Sequence, residues 1–213
     1  MQRGITQLFH GFRKYLGQRG VRRRIAIIQL SGRAEDYLVK EFVYYIAQET
    51  GGSRFCEVNS GRSNQRKVDI VLLKMPQDGS EVAEAFVEAK FIRNRHRRGD
   101  KAMGALDELS TTLNDLRRQL RFVPQGTHGK HRVRRRSKAT NVYGLVFTSY
   151  ARRSGEQDES AQYFERVINE ATSRGLKYHD LPKPYLRTAF SEEPVKVMGS
   201  RWYVTLRMGL WRT

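Results

Sequence analysis

Cysteine is almost absent from this chain of 213 residues, since Cys56 is the only one. A single cysteine excludes an internal disulfide and a cysteine metal cluster, and it fits a reducing, intracellular setting. Long apolar runs are missing too, because no stretch approaches the roughly 20 residues that a membrane-spanning helix needs. No apolar signal-peptide segment follows the first residues. We therefore expect a cytoplasmic protein, nucleoid-associated if prokaryotic, with no membrane partner.

Acidic residues are missing from the first 34 positions, where Arg and Lys recur. That composition is typical of two different segments, a DNA-gripping arm and an organellar transit peptide. Residues 5–17 carry apolar side chains at helical spacing, which predicts a short amphipathic helix there. We interpret residues 1–30 as a basic N-terminal arm with a helix, and organellar targeting stays open as the alternative.

Negative charge is scarce in the whole chain, which has 40 Lys and Arg against 22 Asp and Glu, a formal net charge of +18. Small domains usually carry a net charge of about 2–8, so this excess is large. A field of that sign attracts polyanions, of which nucleic acid is the commonest. The alternative is a generically basic surface that serves solubility.

Hydrophobic periodicity divides the chain into helices and strands. It predicts helices at 5–17, 33–49, 101–121 and 158–174, and strands at 53–59, 67–75, 84–92, 141–149 and 201–211. Residues 25–30 read as a short strand or as the lead into the next helix. The turn at 76–79 predicts a hairpin of the second and third strands. Helix 101–121 predicts a crossover that makes strands 84–92 and 141–149 parallel.

The order of these elements defines a fold class. The order helix, three strands, helix, strand (αβββαβ) predicts an α/β protein with a mixed central sheet flanked by helices. We place this core in residues 31–150. Residues 151–213 then form a C-terminal helix and strand extension that packs on the core.

Two strands contain charged residues inside apolar runs, Asp69 in one and the Glu88-Ala89-Lys90 string in the other. Side chains alternate across a strand, so Glu88 and Lys90 emerge on one face, and the hairpin brings Asp69 beside them. Embedded charges lower stability unless they are paired or bind a metal ion. The alternative is an ordinary half-exposed hairpin with a Glu-Lys pair.

The spacing of Asp69 from Glu88-Ala89-Lys90, with the element order over residues 31–150, resembles the PD-(D/E)XK nuclease superfamily. Val68 stands where that motif has proline. The resemblance implies a restriction endonuclease-like core and a Mg²⁺-dependent DNA endonuclease, structure-selective or working in mobile-element or phage-defence DNA processing. Hard Mg²⁺, or Mn²⁺ as the alternative, prefers oxygen ligands. Asp69, Glu88 and the carbonyl of Ala89 would hold the cation, and Lys90 would be catalytic.

A helical carboxylate completes the predicted catalytic set. Glu35 lies on the apolar stripe at the start of helix 33–49 and should face the sheet. This position resembles the helical glutamate of archaeal Holliday-junction resolvases, which implies catalysis by Glu35. The alternative role is a favourable charge at a helix N-terminus. Glu41 is the competing helical acid, but helical spacing turns it away from the stripe.

Basic runs flank the predicted site and should engage phosphates without sequence choice. The predicted nucleic-acid-binding residues are Ser60, Arg93, Arg95, Arg97, Arg98, Arg132, Arg134, Arg135, Arg136 and Lys138. The alternative is that these basic runs are ordinary solvent-exposed surface charges that do not bind nucleic acid. DNA is the expected partner, in a homodimer or a larger DNA-processing complex, because duplex cutting needs two active centres or two successive nicks. The competing function is a non-catalytic nucleic-acid-binding protein of nuclease-like fold.

Overall fold

A computed structural model describes residues 4–31, 34–61, 67–74, 82–94, 100–118, 141–178, 188–189 and 194–212. Its helices are α1 (Ile5–Leu16), α2 (Arg19–Ser31), α3 (Ala34–Thr50), α4 (Asp100–Arg118) and α5 (Ser160–Ser173). Its longer strands are β1 (Arg54–Gly61), β2 (Lys67–Lys74), β3 (Val82–Arg93), β4 (Asn141–Arg153) and β8 (Ser200–Arg212). Its short strands are β5 (Lys177–Tyr178), β6 (Thr188–Ala189) and β7 (Val195–Val197).

The eight strands of the described residues join one mixed sheet, in the order β1-β2-β3-β4-β8-β5, with β6 and β7 also paired to β8. The β3–β4 pair is parallel, and the other pairs are antiparallel. The sequence predictions of an α/β fold, of a β2–β3 antiparallel pair and of parallel strands on either side of helix α4 are therefore confirmed. The predicted turn at 76–79 lies outside the described residues.

The sheet separates two apolar cores, because successive side chains of a strand point to opposite faces. On β3, Val87 and Ala89 pack in the core formed with α1, α2 and α3, which also contains Cys56. Phe86 and Ile92 pack in the core formed with α4 and α5. The even-numbered face of β3 is therefore the α4 face, and the sequence places Glu88 and Lys90 on it.

The N-terminal segment predicted as an arm packs on the sheet as helices α1 and α2. Phe9 and Phe12 of α1 lie against the ring of Phe42 in α3, with ring centroids 5.2 and 4.9 Å away. The prediction of a strand or a lead at residues 25–30 is wrong, since these residues lie inside α2. A repeat of four residues explains the helix, because Val21, Ile25 and Gln29 are buried along one side of it.

The other predicted elements are confirmed with shifts of at most two residues at the described ends, except that β4 extends four residues past its predicted end at 149. Helix α3 starts and ends one residue later than predicted, and α5 and β8 lie within two residues of their predicted bounds. Helix α4 is described to Arg118, and residues 119–121 lie outside the described ranges. Within those ranges, no helix combines the length and the apolar character that crossing a membrane requires.

Candidate active site

The sheet divides at the point where the predicted acidic residues lie. Backbone pairing of β2 with β3 runs from the start of β3 to Ile70↔Val87 and stops there in the described part of both strands. Beyond that pair, β2 stays paired with β1 as far as Lys67, and β3 stays paired with β4 as far as Arg93. A gap therefore opens between the two halves of the sheet.

Two carboxylates replace the missing sheet hydrogen bonds along this gap. The Ala89 amide donates to Oδ2 of Asp69 at 2.8 Å, and the Phe91 amide donates to Oε2 of Glu35 at 2.7 Å. The amide and carbonyl of one strand residue point to the same side, so the Ala89 carbonyl also points into the gap. Glu35 thus faces the sheet as its helical position predicted, and Asp69 lies against the Glu88–Lys90 segment.

Glu88 and Lys90 lie next to each other beside the gap. Nζ of Lys90 is 3.5 Å from Oε1 of Glu88 and 3.4 Å from Oε2 of Glu108 on α4. Glu88 is only 6% exposed, and its second oxygen, Oε2, is buried with no hydrogen-bond partner among the residues that the structure describes. A buried carboxylate oxygen without a partner costs free energy, so a cation or a hydrogen-bond donor placed at this atom would stabilise the folded state.

The site holds its acids in an unfavourable environment. Burial, and then the nearby Asp69 carboxylate, raise the pKa of Glu88 to about 7, although Lys90 opposes the change. Burial also raises the pKa of Asp69 and of Glu35, against the opposing effects of Lys90 and the backbone amides. Burial would lower the pKa of Lys90, but the surrounding carboxylates outweigh it, so this pKa is raised. Lys90 therefore stays an ammonium ion.

The donors of this site fit a hard divalent cation only in part. Among the described residues, no three His, Cys, Asp or Glu side chains are grouped as a ready-made metal cage. Mg²⁺ does not require one, because it is usually held by one or two carboxylates, with waters and substrate phosphate as the other ligands. Asp69, the buried Oε2 of Glu88 and the Ala89 carbonyl are oxygen donors of the required kind.

The side chain of Asn94 fixes the end of β3 by making hydrogen bonds of the kind that backbone groups make in a sheet. Asn94 follows the last β3–β4 pair, and its amide group donates to the Ala151 carbonyl at 3.1 Å. The Ala151 amide donates back to the Asn94 Oδ1 at 3.0 Å. These two hydrogen bonds extend the pairing past Arg93 and fix the strand that carries Glu88 and Lys90.

The competing helical acid, Glu41, has a different set of partners. It is 7% exposed, and its carboxylate accepts hydrogen bonds from Tyr15 at 2.6 Å, from Arg24 at 2.6 Å and from Tyr37. Burial would raise the pKa of Glu41, but these hydrogen bonds outweigh it and the pKa is lowered. Glu41 therefore ties α3 to the N-terminal helices, and Glu35 is the helical acid at the gap.

The predicted nucleic-acid-binding residues are described only in part. Arg93 ends β3, with its guanidinium 5.0 Å from the ring centroid of Phe91, close to the Glu35 contact. Ser60 lies in β1, where its backbone pairs with Val68 of β2. The remaining predicted cations lie outside the described residues: Arg95, Arg97, Arg98, Arg132, Arg134, Arg135, Arg136 and Lys138.

Two acids near the site were missed by the sequence analysis. Glu108 of α4 is 3.4 Å from Lys90, and both Glu108 and Asp36 contribute to the raised pKa of Asp69. Asp36 could have been found, because it follows Glu35 in the first turn of α3. Nothing in the sequence indicates that Glu108 lies near Lys90, because its position depends on how α4 packs on β3.

Comparison of the chain with protein-family models, with curated proteins and with solved structures found no match in any of the three. The fold and the geometry of the gap therefore carry the functional argument by themselves.

Proposed function

We propose that this chain is a divalent-cation-dependent nuclease that hydrolyses phosphodiester bonds of DNA, on a restriction endonuclease-like core. The observation that carries the proposal is the pair Asp69 and Glu88 at the gap between β2 and β3, where Oε2 of Glu88 is buried and has no partner in the described part of the chain. The element order α3-β1-β2-β3-α4-β4 and the parallel β3–β4 pair agree with such a core.

Stability does not account for these acids. Burial raises the pKa of Glu35, Asp69 and Glu88, which means that their ionised forms weaken the folded state. Strands of this apolar character would be more stable with neutral side chains at these positions. Such acids are retained where they bind a cation or do chemistry, and this distribution of perturbed pKa values is typical of functional sites.

The substrate class follows from charge. The chain has a formal net charge of +18, yet Glu35, Asp69 and Glu88 meet at one place next to Lys90. A basic surface attracts the phosphate backbone of DNA, whereas a carboxylate pair repels phosphate unless a cation lies between them. Both features together favour cleavage of a nucleic acid over binding alone.

In the proposed reaction, a water oxygen gives up a proton to solvent and bonds to phosphorus, the bond from phosphorus to one sugar oxygen breaks, and that oxygen takes up a proton from solvent. A divalent cation held by Asp69, Glu88 and the Ala89 carbonyl would stabilise the phosphate charge and lower the pKa of a bound water. Lys90 is cationic, since surrounding carboxylates raise its pKa. It therefore stabilises negative charge or orients the water, and it does not act as the base.

Glu35 has a positioning role in this proposal. Its Oε2 is held by the Phe91 amide, and its raised pKa reflects the nearby Asp69 as well as burial. The carboxylate thus lies at the mouth of the gap on the α3 side. From there it can hold waters of the cation or orient the attacking water.

Cleavage assays with matched variants test the proposal. Wild-type protein with Mg²⁺ or Mn²⁺ should cut at least one of linear, circular and branched DNA. Asp69→Asn and Lys90→Met should lower the rate by roughly 10²–10³-fold, the range for removing a group that stabilises charge in the transition state. DNA affinity in EDTA should stay close to the wild-type value for both variants.

Glu84→Gln is the matched control for the assay. Glu84 lies on the same strand but pairs with Arg54 at 2.6 Å, away from the gap, so its loss should leave the cleavage rate unchanged. Wild-type protein that binds DNA but leaves all three forms uncut with either cation would overturn the nuclease proposal. The non-catalytic nucleic-acid-binding protein would then be the better description.

A further inference from the structure

A second charged surface lies outside the candidate active site, between the first half of α2 and β7. A cleft of about 280 Å³ separates them. Its cations are Arg19, Arg22 and Arg23 of α2 and Lys196 of β7, and its apolar part includes Ile27 and Val195. Among the described residues that line the cleft, none is acidic.

The cations of the cleft stand close to one another. Arg19, Arg22 and Arg23 stand three and four residues apart on one side of α2, where like charges lower helix stability. Lys196 lies directly opposite Arg201 in the β7–β8 pair, an arrangement in which like charges are also unfavourable. A cluster of like charges attracts a polyanion, and a phosphate bound between these cations would weaken their mutual repulsion.

The turn that joins β7 to β8 has an unusual tip. Val197 pairs with Ser200, so Met198 and Gly199 form a two-residue hairpin turn. Both have positive φ, 47° for Met198 and 79° for Gly199, a conformation for which asparagine and glycine are the usual residues. Met198 is also 98% exposed. An apolar side chain therefore occupies a strained and fully exposed position next to a basic cleft.

We propose that the α2–β7 cleft and the Met198 tip form a nucleic-acid-binding surface separate from the active site. The cations of the cleft contact backbone phosphates, which position a nucleic acid without reading its sequence. A two-stranded ribbon such as the β7–β8 hairpin fits a groove of the duplex. Met198 at its tip makes apolar contacts to base edges in that groove, as apolar side chains do with the methyl group of thymine.

The position of this surface makes it separable from catalysis. Lys90 pairs with Val146 on β4, and Trp202 beside the hairpin pairs with Arg153 on the same strand. Seven residues of β4 separate these pairs, which at about 3.3 Å per residue is up to roughly 23 Å. That distance corresponds to about 7 base pairs of duplex at 3.4 Å each. Variants in the cleft therefore leave the gap between β2 and β3 untouched.

The first test measures the salt dependence of binding. Affinity of a labelled 30-base-pair duplex is measured by fluorescence anisotropy in EDTA over a salt series, for Arg23→Gln/Lys196→Gln and for wild type. Each lost phosphate contact should lower the slope of log K against log salt by about 0.9, so the double variant should lose about 1.8. The control Arg166→Gln/Lys177→Gln, with exposed cations on α5 and β5, should keep the wild-type slope. Equal losses in both double variants would overturn the proposal, because total charge alone would then explain binding.

The second test uses the hairpin tip, where stability and binding should change in opposite directions. Met198→Asn relieves the backbone strain, so its melting temperature should rise by roughly 2–4 °C. Its affinity for the duplex should fall several-fold while the salt slope stays unchanged, because the lost contact is apolar. Unchanged affinity would remove Met198 from the binding surface and overturn that part of the proposal.

Two further measurements separate this inference from its alternatives. Vesicles of phosphatidylserine and phosphatidylcholine replace DNA in a sedimentation assay, and a cleft variant that loses vesicle binding but keeps DNA binding would overturn the proposal. Cleavage at saturating DNA should match wild type in the cleft variants. Binding in EDTA therefore tests the cleft, and the cleavage rate of Asp69→Asn tests the proposed function.

Discussion

Glu88→Gln should stabilise the protein at alkaline pH when divalent cations are removed. Burial and the Asp69 carboxylate raise the pKa of Glu88 from 4.5 to about 7, so the folded state binds more protons than the unfolded state between these values. Stability therefore falls as the pH rises through that window. At about 1.36 kcal/mol per pKa unit, ionised Glu88 costs the folded state about 3 kcal/mol. Glutamine resembles the neutral acid and does not have this cost.

Thermal unfolding in EDTA at pH 4 and pH 8 measures the effect. The melting temperature of Glu88→Gln should equal that of wild type at pH 4 and exceed it by roughly 6–12 °C at pH 8, for a chain of this size. Glu84→Gln is the control, because the same substitution on the same strand breaks the Arg54 pair and should lower stability at pH 8. A difference between Glu88→Gln and wild type that is the same at both pH values would refute the reasoning.

A divalent cation should remove most of the stability advantage of Glu88→Gln at pH 8. If Asp69 and Glu88 hold Mg²⁺, adding the ion at 100 times its Kd should stabilise wild type at pH 8 by about 2.7 kcal/mol. Glu88→Gln lacks one of the two carboxylates, so its melting temperature should rise much less. Equal shifts in the two proteins would show that the ion binds elsewhere.

Three other substitutions test parts of the fold by chemical denaturation. Gly11→Ala should cost about 1–3 kcal/mol, because the added Cβ would lie 1.9 Å from Oη of the buried Tyr45, and an unchanged midpoint would contradict the packing. Asn94→Ala should cost about 1–3 kcal/mol through its two hydrogen bonds to Ala151, and hydrogen exchange at the Ala151 amide should speed up. Glu41→Gln should cost about 1.5–3 kcal/mol at pH 7, since the pKa of Glu41 is lowered. That loss should shrink as the pH falls below the folded pKa, and a pH-independent loss would argue against the charged network.

Periodicity was sufficient for the parts of the fold that depend on one buried stripe or on alternation. Leu38, Phe42 and Ile46 define α3, and all three are fully buried. Alternation on β3 also predicted correctly that Glu88 and Lys90 share a face, because strand geometry leaves no other choice. The neighbourhood of Asp69 followed from the antiparallel pairing of β2 with β3.

Two kinds of feature could not be predicted from periodicity: a helix whose apolar repeat is masked by charged residues, and elements whose position depends on distant segments. Helix α2 was missed because its arginines hide the repeat of Val21, Ile25 and Gln29. The short strands β5, β6 and β7 exist only because β8 offers them an edge. The end of β2–β3 pairing at Ile70 was equally invisible, since local sequence does not show where two paired strands separate.

The burial of Cys56 makes the native chain convenient for spectroscopy. Burial raises the pKa of this thiol to about 12, so it stays protonated at neutral pH. Maleimides and haloacetamides react with thiolates, and they should leave folded Cys56 unmodified. A single fluorophore can therefore be attached through Met198→Cys without first replacing the native cysteine. Energy transfer from that dye to labelled DNA would report how closely a duplex approaches the hairpin.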